Sequence, residues 1–410
     1  MRARPWSPYV GLALSLALTA AVTSYAASAA NSRDQLRFQN LVHRDQAILQ
    51  NRMKTYEALL RGAKGLFNAS DDVSQEEFRT FVQGLGLDRH YPGIQGIGFA
   101  LRVEATWKEA VIAEVRRKSD TRFRIWPEST GDDLFPILYL EPMDRRNRAS
   151  IGFDMFTEPA RRAAMEHARD TGEPMATSRV KLVQEIDLHK QAGFLIYVPV
   201  YRQGKPVGTV EERRAALAGY IYAPFRADDL LRGTLGDGNP NLALEVYAGE
   251  PSFRNLLHRS HPPGVVGPDP RLTATESFEV AGFPWTVVYS TLPLFEAGSA
   301  RDQIWILLLL GLLTSLTLFA VTRAQVAARA QAEAASQTKD RFMATLSHEL
   351  RTPLTPVLAV LSRLETRPET LPADVRQGLA TIRRNAELEA RLIDDLLDLT
   401  RISQGKLELR

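Results

Sequence analysis

Apolar residues follow three different patterns along this chain. Val10 to Ala30 and Ile304 to Thr322 are apolar almost throughout and carry no charged side chain. As helices they would reach ~31 Å and ~28 Å, about one hydrocarbon core each. Between them, short apolar runs alternate with polar turns. After them, apolar residues recur at steps of three and four in a segment rich in helix formers.

The flanks orient the two spans. Arg2 and Arg4 precede the first span, and Arg323 and Arg329 follow the second. Basic residues stay on the cytoplasmic side, so both ends are expected inside and residues 31–301 outside. Arg301, on the outer flank, runs against this pattern and is outnumbered. Trp305 sits where an interfacial ring is favoured. Arg2, Arg4, the apolar run and Ala27-Ser28-Ala29 also fit a cleavable secretion signal. The length of the run favours an uncleaved anchor, and either reading exports the following residues. The expected divisions are a cytoplasmic N-terminus (1–9), spans at 10–30 and 302–322, an outer region (31–301) and an inner segment from 323 onward.

The outer region opens with a helix over 31–66, its apolar positions including Leu36, Leu41, Ile48, Met53, Tyr56, Leu59 and Leu60. Ser74 and Glu77 have capping-box spacing before Phe78. Strands are expected at Gly93–Val103, Arg122–Trp126, Phe135–Leu140, Phe194–Tyr201, Ala218–Ala223 and Leu242–Tyr247. A last hairpin joins Phe278–Val280 to Trp285–Ser290 around Gly282. Helices are expected from Thr106 to Lys118 and from Glu158 to Asp170, the latter stopped at Thr171-Gly172. Helices alternating with short strands make this an α+β domain.

The inner segment is all-α. Residues 323–338 read as an unbroken signalling helix. Phe342, Leu346, Leu350, Leu354, Leu358 and Leu361 then share one helical face. His348 lies off that face and should meet solvent. Pro353 lacks an amide hydrogen and should bend the helix just beyond it. A turn at Arg367–Pro372 leads to a second helix, with Val375, Leu379, Ile382, Ala386, Ile393, Leu396 and Thr400 on one face. A lone hairpin cannot bury both stripes well, whereas two copies can as a four-helix bundle, so a homodimer is expected.

Composition narrows the partners. Apolar residues make up 44% of the 410, enough for packed cores. The net charge of +3 lacks the basic bias of a nucleic-acid binder, so no nucleic-acid partner is expected. With no cysteine, disulfides and cysteine-ligated metals are excluded. His258 and His261 are three apart but suggest no third ligand, so no metal site is expected. Asp132-Asp133 reads as a turn.

Two resemblances carry further. Phe135 to Tyr139, Arg161 to Gly172, Gly193 to Tyr201, Thr209 to Arg213 and Ala218 to Tyr220 resemble the CHASE sensor domain of plant cytokinin receptors and bacterial transmembrane receptors, over about residues 75–235. The resemblance implies a PAS-like α+β fold and a small-molecule ligand. It does not extend to the cytokinin contacts: Pro142 stands where those receptors place an aspartate, and Tyr197 where they place a threonine.

Phe342 to Leu354 resembles the H-box of histidine kinases, within a HisKA dimerisation domain at 339–405. The resemblance implies His348 as phosphoacceptor, Glu349 as general base, Thr352 positioning a dephosphorylating water and Pro353 supplying the bend. An imidazole titrates near neutrality, which suits nucleophilic attack on a phosphate. It also implies ATP and Mg2+ held by a further domain, a response-regulator receiver as partner, and an inner or plasma membrane location. Residues 406–410 read as the start of a linker to that domain, and a truncated sequence is favoured over a separate ATPase. A sensor histidine kinase is the expectation. The alternative is a non-catalytic phosphotransfer module served by another kinase; a chemoreceptor or nucleotide cyclase is disfavoured by the H-box.

Overall fold

A computed structural model describes residues 6–403 except 71, 119, 120, 130, 187–189, 237, 268 and 366–371. The 406–410 linker, and all but Pro372 of the expected turn before the last helix, lie outside the described residues. Two compact units emerge: residues 27–302, and residues 1–26 together with 303–410.

The helices are α1 (Ser7–Ala69), α2 (Gln75–Leu85), α3 (Leu87–His90), α4 (Lys108–Lys118), α5 (Arg145–Arg148), α6 (Pro159–Thr171), α7 (Val210–Ala216), α8 (Ala227–Leu235), α9 (Pro293–Ala297), α10 (Asp302–Glu365) and α11 (Ala373–Ser403). The strands are β1 (Ile97–Leu101), β2 (Val103–Glu104), β3 (Asp133–Leu134), β4 (Ile137–Glu141), β5 (Met175–Ala176), β6 (Gly193–Tyr201), β7 (Leu217–Arg226), β8 (Leu242–Ala248), β9 (Leu256–Arg259), β10 (Thr273–Val280) and β11 (Phe283–Thr291).

In the 27–302 unit, one antiparallel sheet runs β4-β1-β7-β6-β5 and a second runs β10-β11-β8-β9. Helix α1 is the spine common to both. Phe38, Val42, Leu49, Met53, Tyr56, Leu60 and Ala63 are all buried, at helical spacing. Phe38 meets Phe295 beside the second sheet (6.3 Å), Tyr56 meets Phe225 of β7 (5.0 Å), and Phe67 stacks on Phe99 of β1 (4.4 Å). The Tyr56 hydroxyl donates to the Pro92 carbonyl at 2.6 Å. Phe194 of the first sheet packs edge-on against Trp285 of the second (4.8 Å).

Local signals act as expected at several ends. Ser74 and Glu77 form a reciprocal capping box at α2; Thr209 and Glu212 form a second at α7, which the sequence reading did not name. Gly172 caps α6 in the left-handed region. Three expectations need correction. On α1, Leu36 and Ile48 face outward at 61% and 36% exposure, because the buried stripe is set by Phe38, Val42 and Leu49. Residues 122–126 are not a strand: Phe123 and Ile125 are buried, but they join Val103, Ile112 and Leu134 in a small side core, and only a single bridge, Trp126 to Phe153, pairs this segment. The first strand begins at Ile97 rather than Gly93.

In the other unit, the apolar parts of α1 and α10 run antiparallel. Tyr9 meets Phe319 edge-on at 5.4 Å, and Gly311 lies against Thr19, where a Cβ would fall 2.3 Å from the threonine methyl. Small residues let such helices approach, and their hydroxyls bond back to their own helices: Thr19 to Ser15 O (2.9 Å), Ser315 to Gly311 O (2.7 Å). Leu14, Leu18, Leu309 and Leu313 face outward. By length and composition, both helices are apolar enough to cross a membrane, with mean hydropathy of 1.6 and 2.5.

Two outcomes test this packing. Leu60→Ala removes a fully buried side chain and should cost about 2–5 kcal/mol in denaturant unfolding, whereas Leu36→Ala should stay within about 0.5 kcal/mol. Asp170 links α6 to α7 through Arg214 (2.6 Å) and also pairs with Arg169 (2.7 Å). The Arg214 guanidinium above all holds the Asp170 carboxyl well below the usual carboxylate range. A depressed folded-state value stabilises above the unfolded-state value, about 4, and that stabilisation fades as pH falls. Asp170→Asn should therefore lose about 1 kcal/mol near neutral pH, with the gap to wild type closing in acid below about pH 4.

Candidate functional site

His348, the residue singled out by the sequence, lies on the hairpin of α10 and α11. Its side chain is 81% exposed, while the preceding Ser347 is buried and Leu346 half-buried. Each residue turns the helix by about 100°, so the imidazole clears the seam that its neighbours fill. Glu349 is equally open; its Oε1 lies 3.9 Å from His348 Nδ1, beyond hydrogen-bond reach. The Thr352 hydroxyl donates to the His348 carbonyl at 2.8 Å. The helix continues through Pro353 and Pro356. Having no amide hydrogen, Pro353 leaves the Glu349 carbonyl without its usual donor.

Between the two helices, Leu361, Ala386 and Ile393 are buried. An Arg351–Asp394 ion pair joins them one turn from His348, a contact that no periodicity announces. Much of the expected apolar face remains open: Phe342 and Leu350 on α10, and Val375 and Ile382 on α11, are 42–59% exposed.

In the 27–302 unit, the first sheet offers two contrasting faces. The face away from α1 is filled by Tyr197, Tyr220 and Tyr222, all fully buried, under α6. Tyr197 donates to Met155 Sδ (3.0 Å) and Tyr220 to Met165 O (2.8 Å). The Tyr222 ring occupies the space over Gly98, where a Cβ would fall 2.5 Å away. Burial pushes the phenols of Tyr197 and Tyr222 far upward, so both are neutral. Arg161, 2% exposed, sits 5.1 Å above the Phe153 ring and donates to Lys181 O at 3.3 Å. Pro142 follows Glu141, a buried carboxylate 3.3 Å from Arg79. His258 faces Asp228 (2.6 Å) and His261 faces Ser260 (2.8 Å), so these two histidines have separate partners. Asp133 is the bidentate partner of Arg102.

A polar clasp closes the base of this unit. Asp34 of α1, 4% exposed, accepts from Arg271 (2.7 Å) and from Ser299 (2.6 Å). Arg271 also reaches Asn31 (3.1 Å). The Arg37 guanidinium lies 4.7 Å over Phe295 and donates to Asn241 (3.1 Å). The first turns of α1 in this unit are thereby fastened to residues just ahead of α10. The sequence reading missed this group because its members lie up to 265 residues apart.

Residues 71–258 match the CHASE domain, and residues 338–405 match the His Kinase A (phospho-acceptor) domain. The chain carries a CHASE domain and a HisKA domain. His348 and its neighbours fall in the HisKA domain, and the tyrosine-filled sheet in the CHASE domain. Among curated proteins, the chain is similar to Probable histidine kinase 4 of Oryza sativa subsp. japonica, 26% identical over 82% of this chain and 34% of the relative. It is similar to Probable histidine kinase 6 of the same plant, 27% identical over 62% of this chain and 27% of the relative. Sensor histidine kinase RcsC of Salmonella typhimurium is 38% identical over 19% of this chain and 8% of its own length. The chain thus spans about a third or less of these relatives.

The clasp yields a prediction. Asp34→Ala leaves Arg271 largely buried without its carboxylate and should destabilise the CHASE-bearing unit by roughly 3–5 kcal/mol. Ser299→Ala removes a hydroxyl that donates to Asp34 and accepts from Arg271 and from the Arg301 amide, and should cost about 1–3 kcal/mol, both read by denaturant midpoint at unchanged slope.

Proposed function

We propose that this chain works as a two-component sensor histidine kinase, in which ligand sensing by the CHASE domain outside the membrane controls phosphorylation of His348 inside. The supporting observation is the open imidazole on a hairpin whose sequence matches the phospho-acceptor domain. Antiparallel α1 and α10 segments suit two membrane crossings with residues 31–301 on the far side from both ends. The five-stranded sheet, whose own strands run in the order 2-1-5-4-3, is read as PAS-like. The open stripe of Phe342, Leu350, Val375 and Ile382 is read as the seam of a homodimeric four-helix bundle.

The chemistry is a phosphoryl transfer. A ring nitrogen of His348 forms a bond to the γ-phosphorus of ATP as the bond to the β-phosphate oxygen breaks and ADP departs. Glu349, once rotated about its solvated side-chain bonds, takes up the ring's remaining proton. The phosphoryl group then passes to an aspartate of a response-regulator receiver. Thr352, released from the His348 carbonyl, positions the water that later removes it. Pro353 frees backbone near the histidine and lets the helix bend there. Among the described residues, no group of three or more acidic or histidine side chains could hold Mg2+. The metal and the nucleotide belong, as the H-box resemblance implies, to an ATP-binding kinase domain.

With such a domain and γ-labelled ATP supplied to the chain in nanodiscs, His348→Gln should lose all acid-labile label. Glu349→Gln should slow labelling by 10²-fold or more. Thr352→Ala should leave labelling intact and slow receiver dephosphorylation. Equal acid-labile label on wild type and His348→Gln would overturn the proposal.

A further inference from the structure

The other face of the first sheet, toward α1, holds a cleft of about 490 Å³. Its floor is aromatic: Phe99 of β1, Tyr139 of β4 and Phe67 in the last turn of α1, with Phe67 and Phe99 stacked. Val111 and Val115 of α4 form one wall. This is the opposite side of the sheet from the buried tyrosines, so the two features are separate.

The mouth carries four charges, and two of them are already committed to each other. Lys118 and Glu114 pair at 2.8 Å. Arg202 and Asp72 also line the cleft, and neither side chain makes a hydrogen bond or ion pair among the described residues. The Tyr139 hydroxyl is neutral, its pKa pushed up to about 12 by burial, and it donates to Val73 O at 3.1 Å. The cleft therefore offers a flat apolar floor, the Arg202 cation and the Asp72 anion, neither side chain hydrogen-bonded or ion-paired among the described residues though Asp72 lies within electrostatic reach of Lys118 and Tyr139, at a size suited to a small organic molecule.

We infer that the cleft binds a free α-amino acid with an apolar, preferably aromatic, side chain: the ring on Phe99 and Tyr139, the carboxylate on Arg202, the ammonium on Asp72. A guanidinium matches a carboxylate with two parallel hydrogen bonds. An amine alone or an acid alone would satisfy one charge and face the other unpaired. Because Phe67 and Ser70 line the same cleft, an occupant would press directly on the end of α1. This inference names the ligand class for the sensing role proposed above and rests on that role.

The test uses the full chain in nanodiscs without nucleotide, with binding read by calorimetry. L-Phenylalanine is the main probe; 3-phenylpropanoate lacks its amine and phenethylamine lacks its carboxylate. L-Phenylalanine should bind at least tenfold more tightly than either analogue. Asp72→Asn should make L-phenylalanine and 3-phenylpropanoate equivalent, and Arg202→Gln should make L-phenylalanine and phenethylamine equivalent. Ala218→Leu, which fills the floor, should abolish binding. Both charge changes lie on exposed residues, so folding is preserved. The inference is overturned if L-phenylalanine, L-tryptophan and L-leucine all fail to bind, if the analogues match L-phenylalanine, or if the variants bind as wild type does. Binding that leaves His348 labelling unchanged would sink the sensing role while the site stands.

Discussion

An imidazole meant to accept a phosphoryl group, as proposed for His348, sets a packed hairpin two opposed demands: the helix has to bury one stripe, and the histidine has to stay outside it. The helical repeat meets both demands within four residues. Leu346 and Ser347 turn toward the seam, and His348 swings clear of it at 81% exposure. If the register of α10 slipped by one residue, the imidazole would take the buried place of Ser347 and lose its exposure to solvent. The Arg351–Asp394 ion pair, one turn away, sits where it opposes that slip.

The 27–302 unit is organised around a second long-range constraint, the spine of α1. Its buried stripe touches both sheets, so the sheets cannot shift against each other without disturbing the helix. The clasp of Asp34, Arg271 and Ser299 then ties the start of this stretch to the residues that lead into α10. Truncating one member of a buried ion pair is far more damaging than losing a surface bridge, which makes this base stiff.

Much of this was readable from sequence where the signal is local. Apolar spacing marks α10 and α11, the Ser74–Glu77 pair marks the start of α2, short apolar runs mark β6, β7 and β8, and Gly282 marks the turn of the β10–β11 hairpin. The segment that matches the phospho-acceptor domain was legible from the kind and spacing of its residues. Local pattern failed at residues 122–126, where alternating burial arises in a loop, because burial on one side does not require a neighbouring strand. It missed β9, whose four residues are too few to show a period. It misplaced Leu36 and Ile48 because a helix with many apolar residues leaves the choice of stripe to its tertiary partners. The clasp and the Arg351–Asp394 pair join distant residues, and the 3.9 Å gap between Glu349 and His348 depends on side-chain rotamers; neither leaves a trace in one sequence.

The most direct measurement is phosphosite mapping on the chain itself after incubation with ATP and an ATP-binding kinase domain. Trypsin releases Phe342–Arg351, a peptide with a single histidine and with Thr345 and Ser347 as competing hydroxyls. Mass spectrometry at neutral pH should find one phosphoryl group on His348, lost on brief acid treatment and retained in base. A phosphoryl group that survives acid and maps to Thr345 or Ser347 would contradict the account.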